Sequence, residues 1–180
     1  MNYQALPVVC RALHDARECL HSNNTMNDDL FSNTPIQSIT KTILIHFDGG
    51  TPCNVPRLGY GIGYGSYNFD GGEPVRVSHG IHCSNNAAEI LTLCCALEAL
   101  ATKGRCSGIR VNVVGDSQIA LKWLNIAAGK RTLKKKKSYT PTGSPDFIAS
   151  IQRLNIAVKP FADVSGSWLQ RDHAVAAFGH

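Results

Sequence analysis

No apolar stretch approaches the roughly 20 residues that a helix needs to cross a bilayer, and the chain does not open on a charged segment followed by an apolar run. Neither a membrane span nor a secretory leader is expected, so the protein should stay where it is made, in the cytoplasm, with no membrane partner. Also missing is any Cys-x-x-Cys pair. The seven cysteines are an odd number, and Cys94 and Cys95 lie side by side in an apolar stretch where cysteine acts as a small hydrophobe. A disulfide framework and a structural zinc site are both disfavoured, and a reducing compartment fits. A dinucleotide fingerprint is absent too. Gly59, Gly61, Gly63 and Gly65 recur every second residue and lead into no helix. In a strand that spacing puts the four glycines on one face and Tyr60, Ile62, Tyr64 and Ser66 on the other. A bare glycine face suits the close approach of a helix or another backbone.

What is present fits one domain with an appendage: 180 residues, 43% of them apolar, can bury a real core. The formal charge is +5, yet Lys130, Arg131, Lys134, Lys135, Lys136 and Lys137 carry six positive charges, so the rest of the chain nets −1. The basicity is local. Such a cluster is a footprint for polyanions, with affinity that falls steeply with salt; a solvated loop is the plain alternative.

Residues 1–41 read as an N-terminal extension. Leu6, Val9, Leu13 and Leu20 stand near helical spacing, and the Asn- and Ser-rich stretch that follows, with Pro35, reads as a linker. From residue 42 to 180 the pattern is that of a mixed α/β domain. Three short strands (ILIHF, LGYGIGYGSYNF, PVRVSHGIHC) separated by Gly and Pro predict an antiparallel meander. Ala87–Thr102 predicts a helix with Ile90, Leu93, Leu97 and Leu100 on one side. IRVNVVGD predicts a fourth strand, SQIALKWLNIAA and PDFIASIQRLNI two further helices around the basic run, and VSGSWLQR a last strand.

Three carboxylates stand out against this layout. Asp48 ends the first strand and Asp116 the fourth; if those strands lie parallel and adjacent, both emerge at the sheet edge where α/β proteins build sites. Glu89 sits early in the helix that would pack on this sheet. Three converging carboxylates repel one another and are tolerable chiefly around a cation. Two magnesium ions about 4 Å apart could then activate water and stabilise a leaving oxygen of a phosphodiester. Each residue also has a plainer role: Asp48 before Gly49 and Gly50 suits a turn, Glu89 three residues after Asn86 suits a capping box, and Asp116 before Ser117 suits a helix cap.

The segments FDGG (47–50), SNNAAEI (84–90), VVGDSQ (113–118) and SWLQR (167–171) together resemble the type 1 ribonuclease H family over residues 42–180. The resemblance implies a ribonuclease H-like fold, a five-stranded mixed sheet flanked by helices, and an endonuclease that hydrolyses the RNA strand of RNA/DNA hybrids with Mg2+ or Mn2+; a monomer is expected, although the sequence itself does not give the oligomeric state. It implies that Asp48, Glu89 and Asp116 are catalytic metal ligands. Asn85, Asn86 and Gln118 match positions that contact the hybrid in its minor groove, where amides suit 2′-hydroxyls because they both donate and accept. Lys134, Lys135, Lys136 and Lys137 fall where several members carry a cationic substrate-binding element. Trp123 is read as a core residue, with a substrate-facing edge as the alternative.

The chain departs from the family at its C-terminal end. Ungapped alignment puts Ala174 and Phe178 where the family has Asn and the fourth Asp ligand, and Trp168 where many bacterial members have His and others an aromatic residue. His180, by its imidazole or its terminal carboxylate, is the candidate replacement as catalytic and metal ligand, with His173 and Asp172 nearby. Residues 1–41 lack the aromatic-rich pattern of the family's hybrid-binding domain and are assigned no nucleic-acid role. Two other readings stay open: a hybrid-binding relative without catalysis, and another nuclease of the same superfamily.

Overall fold

The computed structural model describes residues 38–52, 60–104, 106–130 and 143–170, all within the unit Ile36–His180. The expected N-terminal helix and linker, the basic run from Arg131 onward and the C-terminal residues 171–180 lie outside the described residues. The elements run β1 (Lys41–Gly50), β2 (Tyr60–Phe69), β3 (Val75–Ser84), α1 (Asn85–Ala101), β4 (Ile109–Gly115), α2 (Gln118–Ala127), α3 (Pro145–Ala157) and β5 (Asp163–Trp168). They form a five-stranded mixed sheet in the order β3-β2-β1-β4-β5, in which β1–β2 and β2–β3 are antiparallel and β1–β4 and β4–β5 parallel. The meander and the adjacency of β1 and β4 are both as expected.

Alternation along β1 sends Ile43, Ile45 and Phe47 into the core and leaves Leu44, His46 and Asp48 on the opposite face. On β4, Val111 and Val113 are likewise buried. Gly115 follows them because a Cβ there would lie 2.6 Å from the Phe47 ring. This fit of ring over glycine helps to hold the β1–β4 register. The last β1–β4 pair, His46 with Val114, leaves Asp48 and Asp116 each two residues further along its chain, at the same edge of the sheet.

Helix α1 is buried almost all round rather than along one stripe. Ile90, Leu93, Leu97 and Leu100 face inward as expected, but Ala87, Ala88, Leu91, Cys94 and Ala96 are buried as well, because α1 lies between the sheet and α3. Each of the four large side chains contributes roughly 1.5–3 kcal/mol as an upper estimate. Cys83, Cys94 and Cys106 are free and buried, and burial pushes their thiols up, consistent with packing rather than reactivity. The glycine face serves α1. A Cβ on Gly63 would meet Cys83 Sγ at 2.6 Å, and one on Gly65 would collide with the Thr92 side chain. Trp123 is in the core, edge-on to Phe147 with centroids 6.3 Å apart. Among the described residues no helix is long and apolar enough to cross a membrane.

Candidate active site

Helix α1 comes so close to β1 that a Cβ on Gly49 would lie 2.8 Å from Glu89 Cα and 2.9 Å from the Ala88 carbonyl oxygen. The glycine after Asp48 therefore seats the backbone of Glu89 directly beside the strand that carries Asp48. Asp116 follows β4 immediately. Asp48, Glu89 and Asp116 line one cleft of about 330 Å³, together with Gly49, Gly50, Thr51, Tyr64 and Asn85. All three carboxylates are half-buried.

None of the three plays the plainer role open to it. Asp48 does not open a turn, since β1 runs on through Gly50, with Gly49 paired to Gly65 and Gly50 to Tyr64. Glu89 does not close a capping box on Asn86: the N-cap of α1 is Ser84, whose hydroxyl accepts from Ala87 N. Asp116 does not cap α2, because Ser117 does so, accepting from Ala120 N.

Two neighbours orient Glu89. Ser117 Oγ donates to Glu89 Oε2 at 2.5 Å while its lone pair accepts from Ala120 N at 3.2 Å, so one hydroxyl caps α2 and steers a carboxylate on α1. Asn85 Nδ2 donates to Glu89 Oε1 at 3.3 Å. Behind them, Asp146 on α3 accepts from both Ser84 N (2.9 Å) and Ser84 Oγ (3.1 Å), tying the first turn of α1 to α3. Burial works to raise the Asp146 pKa, but the bonds from Ser144 and Ser84 outweigh it and hold the carboxyl below its ordinary value. At the other rim, Trp168 Nε1 donates to the Asp116 carbonyl oxygen at 3.2 Å with its ring more than half exposed.

Asn86 and Gln118 are exposed and stand outside the described lining of the cleft, on the turns that carry Asn85 and Ser117. Lys134 to Lys137 and His180 lie outside the described residues. Tyr64 and Ser117 belong to the site although the sequence does not single them out for it. Tyr64 carries only the signal of an aromatic residue on the face opposite the glycines, and Ser117 that of an ordinary helix cap. The donor set is all oxygen, which suits a hard divalent cation. Even so, among the described residues no three His, Cys, Asp or Glu side chains are spaced to hold one ion together. The carboxylates share a cleft without forming a closed coordination shell.

No protein-family model and no curated protein matches the chain. Solved structures do. Ribonuclease H1 of the halophilic archaeon Halobacterium salinarum NRC-1 aligns at 25% identity and a TM-score of 0.54, covering 74% of this chain and 89% of that one. LC11-RNase H1 in complex with an RNA/DNA hybrid aligns at 18% and 0.54, again over 74% and 89%. The N-terminal ribonuclease H domain of a Mycobacterium tuberculosis protein aligns at 17% and 0.53, over 75% and 86%. Sheet order, helix placement and these alignments agree: in its fold the chain is ribonuclease HI-like.

Proposed function

We propose that the protein is an endonuclease that hydrolyses the RNA strand of RNA/DNA hybrids. The observation that carries this reading is the single cleft at the ends of β1 and β4 where Asp48, Glu89 and Asp116 meet. The solved structure of a similar fold in complex with an RNA/DNA hybrid supports the substrate class.

Asp48, Glu89 and Asp116 would hold Mg2+ or Mn2+, with His180 assigned from the sequence as a further ligand. Two such ions, when bound, supply a water of lowered pKa and neutralise charge on a phosphodiester. The protein's own part is orientation. Ser117 and Asn85 fix both oxygens of Glu89, and Trp168 steadies the backbone of Asp116. Asn85, Asn86 and Gln118 are assigned to the minor groove, where their amides can read 2′-hydroxyls. Lys134 to Lys137 are assigned to backbone phosphates.

A second reading, a hybrid-binding protein without catalysis, draws on the open spacing of the carboxylates and the missing family Asp. One assay separates the two. A labelled hybrid is incubated with Mg2+ or Mn2+ and wild type, Asp48→Asn, Glu89→Gln or Asp116→Asn. Cleavage by wild type and loss of at least 100-fold in each variant is expected, as for removal of groups that act as a unit. Binding without cleavage by wild type would favour the second reading, and wild-type rates in two of the variants would sink the site assignment.

A further inference from the structure

Beside the carboxylate cleft lies another depression, of about 300 Å³, lined by Asp48, Tyr64, Ser66, Arg76 and neighbours on β2 and β3. Its floor is a row across three strands. Asp48 pairs with Ser66, and Ser66 pairs with Arg76, so these side chains stand on one face of the sheet at one level. That face is opposite the one packed on α1. Ser66 is buried in the row, and Arg76 at its outer end is exposed.

Among the described residues Arg76 has no hydrogen-bond or ion-pair partner. It is also the one cation among the described residues lining either depression. Tyr64 borders both. Its ring is about half exposed, and its hydroxyl end reaches over Gly50 toward Asn85.

A cleft of three carboxylates repels a polyanion, so a strand laid across it needs cations close by. We infer that Arg76, with the Tyr64 ring and the Ser66 hydroxyl, forms a phosphate subsite that holds the nucleic-acid strand beside the carboxylate cleft. The inference rests on the nuclease reading of that cleft. Two strand spacings separate Asp48 from Arg76, roughly 10 Å. That is about three times the rise of one nucleotide, about 3.4 Å along a strand, so the phosphate held is not the scissile one but one up to about three nucleotides along the strand. A guanidinium suits it because its planar fork can take two phosphate oxygens. The Tyr64 ring, lying between the two depressions, offers a surface for the intervening sugar or base.

The test is equilibrium binding of the full chain to a fluorescent RNA/DNA hybrid, followed by anisotropy in EDTA across a salt series, for wild type, Arg76→Ala and Arg76→Lys. The same series is run on duplex RNA and single-stranded RNA, because a phosphate contact does not depend on the sugar opposite. Arg76→Ala should weaken binding about threefold to tenfold at low salt and reduce the slope of log K against log salt by about one. Arg76→Lys should keep the slope, since it keeps the charge, and recover part of the affinity. Equal affinity and slope in wild type and Arg76→Ala, on whichever nucleic acid binds, would overturn the subsite, as would no binding to any of the three. Wild type that shows no preference for the hybrid, while Arg76→Ala still lowers the slope, would instead overturn the hybrid reading and leave the subsite standing.

Discussion

Gly49→Ala tests whether the seating of α1 against β1 builds the site. The added methyl group would meet Glu89 Cα at 2.8 Å, Thr92 Oγ1 at 2.8 Å and the Ala88 carbonyl oxygen at 2.9 Å. Two of these three atoms are helix backbone, so no rotamer change relieves the contact. Thr92 is also held, since it donates to Ala88 O at 2.9 Å and meets His79 Nε2 at 3.0 Å. Overpacking of this kind costs about 1–3 kcal/mol, and backbone contacts belong at the upper end. A smaller unfolded-state entropy recovers about 0.4–1 kcal/mol of that. The net loss is about 1–2.5 kcal/mol, or roughly 2–10 °C in Tm for a chain of this size. Urea unfolding gives the first number and thermal unfolding the second, and hybrid cleavage should fall by more than that loss of stability explains, because the strain is relieved by moving Glu89. Gly71→Ala is the control: Gly71 has φ of +73° and nothing near it, so alanine there costs about 1 kcal/mol in backbone strain and leaves cleavage intact. Stability within about 0.5 kcal/mol of wild type together with full activity in Gly49→Ala would refute the close seating.

Two further outcomes are expected. The Asp146 pKa is depressed in the folded protein, so its stabilisation is complete above the unfolded value of about 3.9 and is lost as the pH falls through the lower folded value. Asp146→Asn should flatten stability against pH below about pH 4, and an unchanged acid limb in urea melts would remove Asp146 from the account. His180→Ala should cut hybrid cleavage more severely in Mg2+ than in Mn2+, since Mn2+ accepts imperfect coordination more readily. Equal, full rates in both metals would mean that the three carboxylates suffice.

Much of the fold was legible because local patterns were strong. The period-two glycines predicted a close approach, and α1 supplies it. The paired settings of Asp48 and Asp116 suggested parallel neighbours, and β1 and β4 are neighbours. Other features depend on contacts that no local pattern carries. Ser84, Asn85 and Asn86 are all good helix caps, and only the docking of Asp146 onto Ser84 selects the first. Gly49 and Gly50 resemble a turn, yet they stay extended because the helix needs the space that a side chain would fill. The bulge in β3 was also invisible: three residues, His79 to Ile81, stand opposite Gly63 alone, with Gly80 at φ of +66°. It swings His79 inward to Thr92, where burial lowers its pKa.

The chemistry of the cleft is therefore set less by the carboxylates themselves than by small residues around them. Gly115 admits Phe47 and so supports the register of β1 on β4. Gly49 admits the backbone of Glu89. Ser117 then couples the two helices, because its single hydroxyl proton goes to Glu89 and its lone pair receives the α2 backbone. A larger residue at either glycine, or a residue without a hydroxyl at 117, leaves every acidic group in the sequence and still changes where the acids stand. This is also why a motif centred on Asp, Glu and Asp reads as weak when each acid is taken alone. The information lies in the neighbours, whose reason to be small or hydroxylic is a contact made in the assembled fold: Phe47 for Gly115, the α1 backbone for Gly49 and Glu89 for the second bond of Ser117.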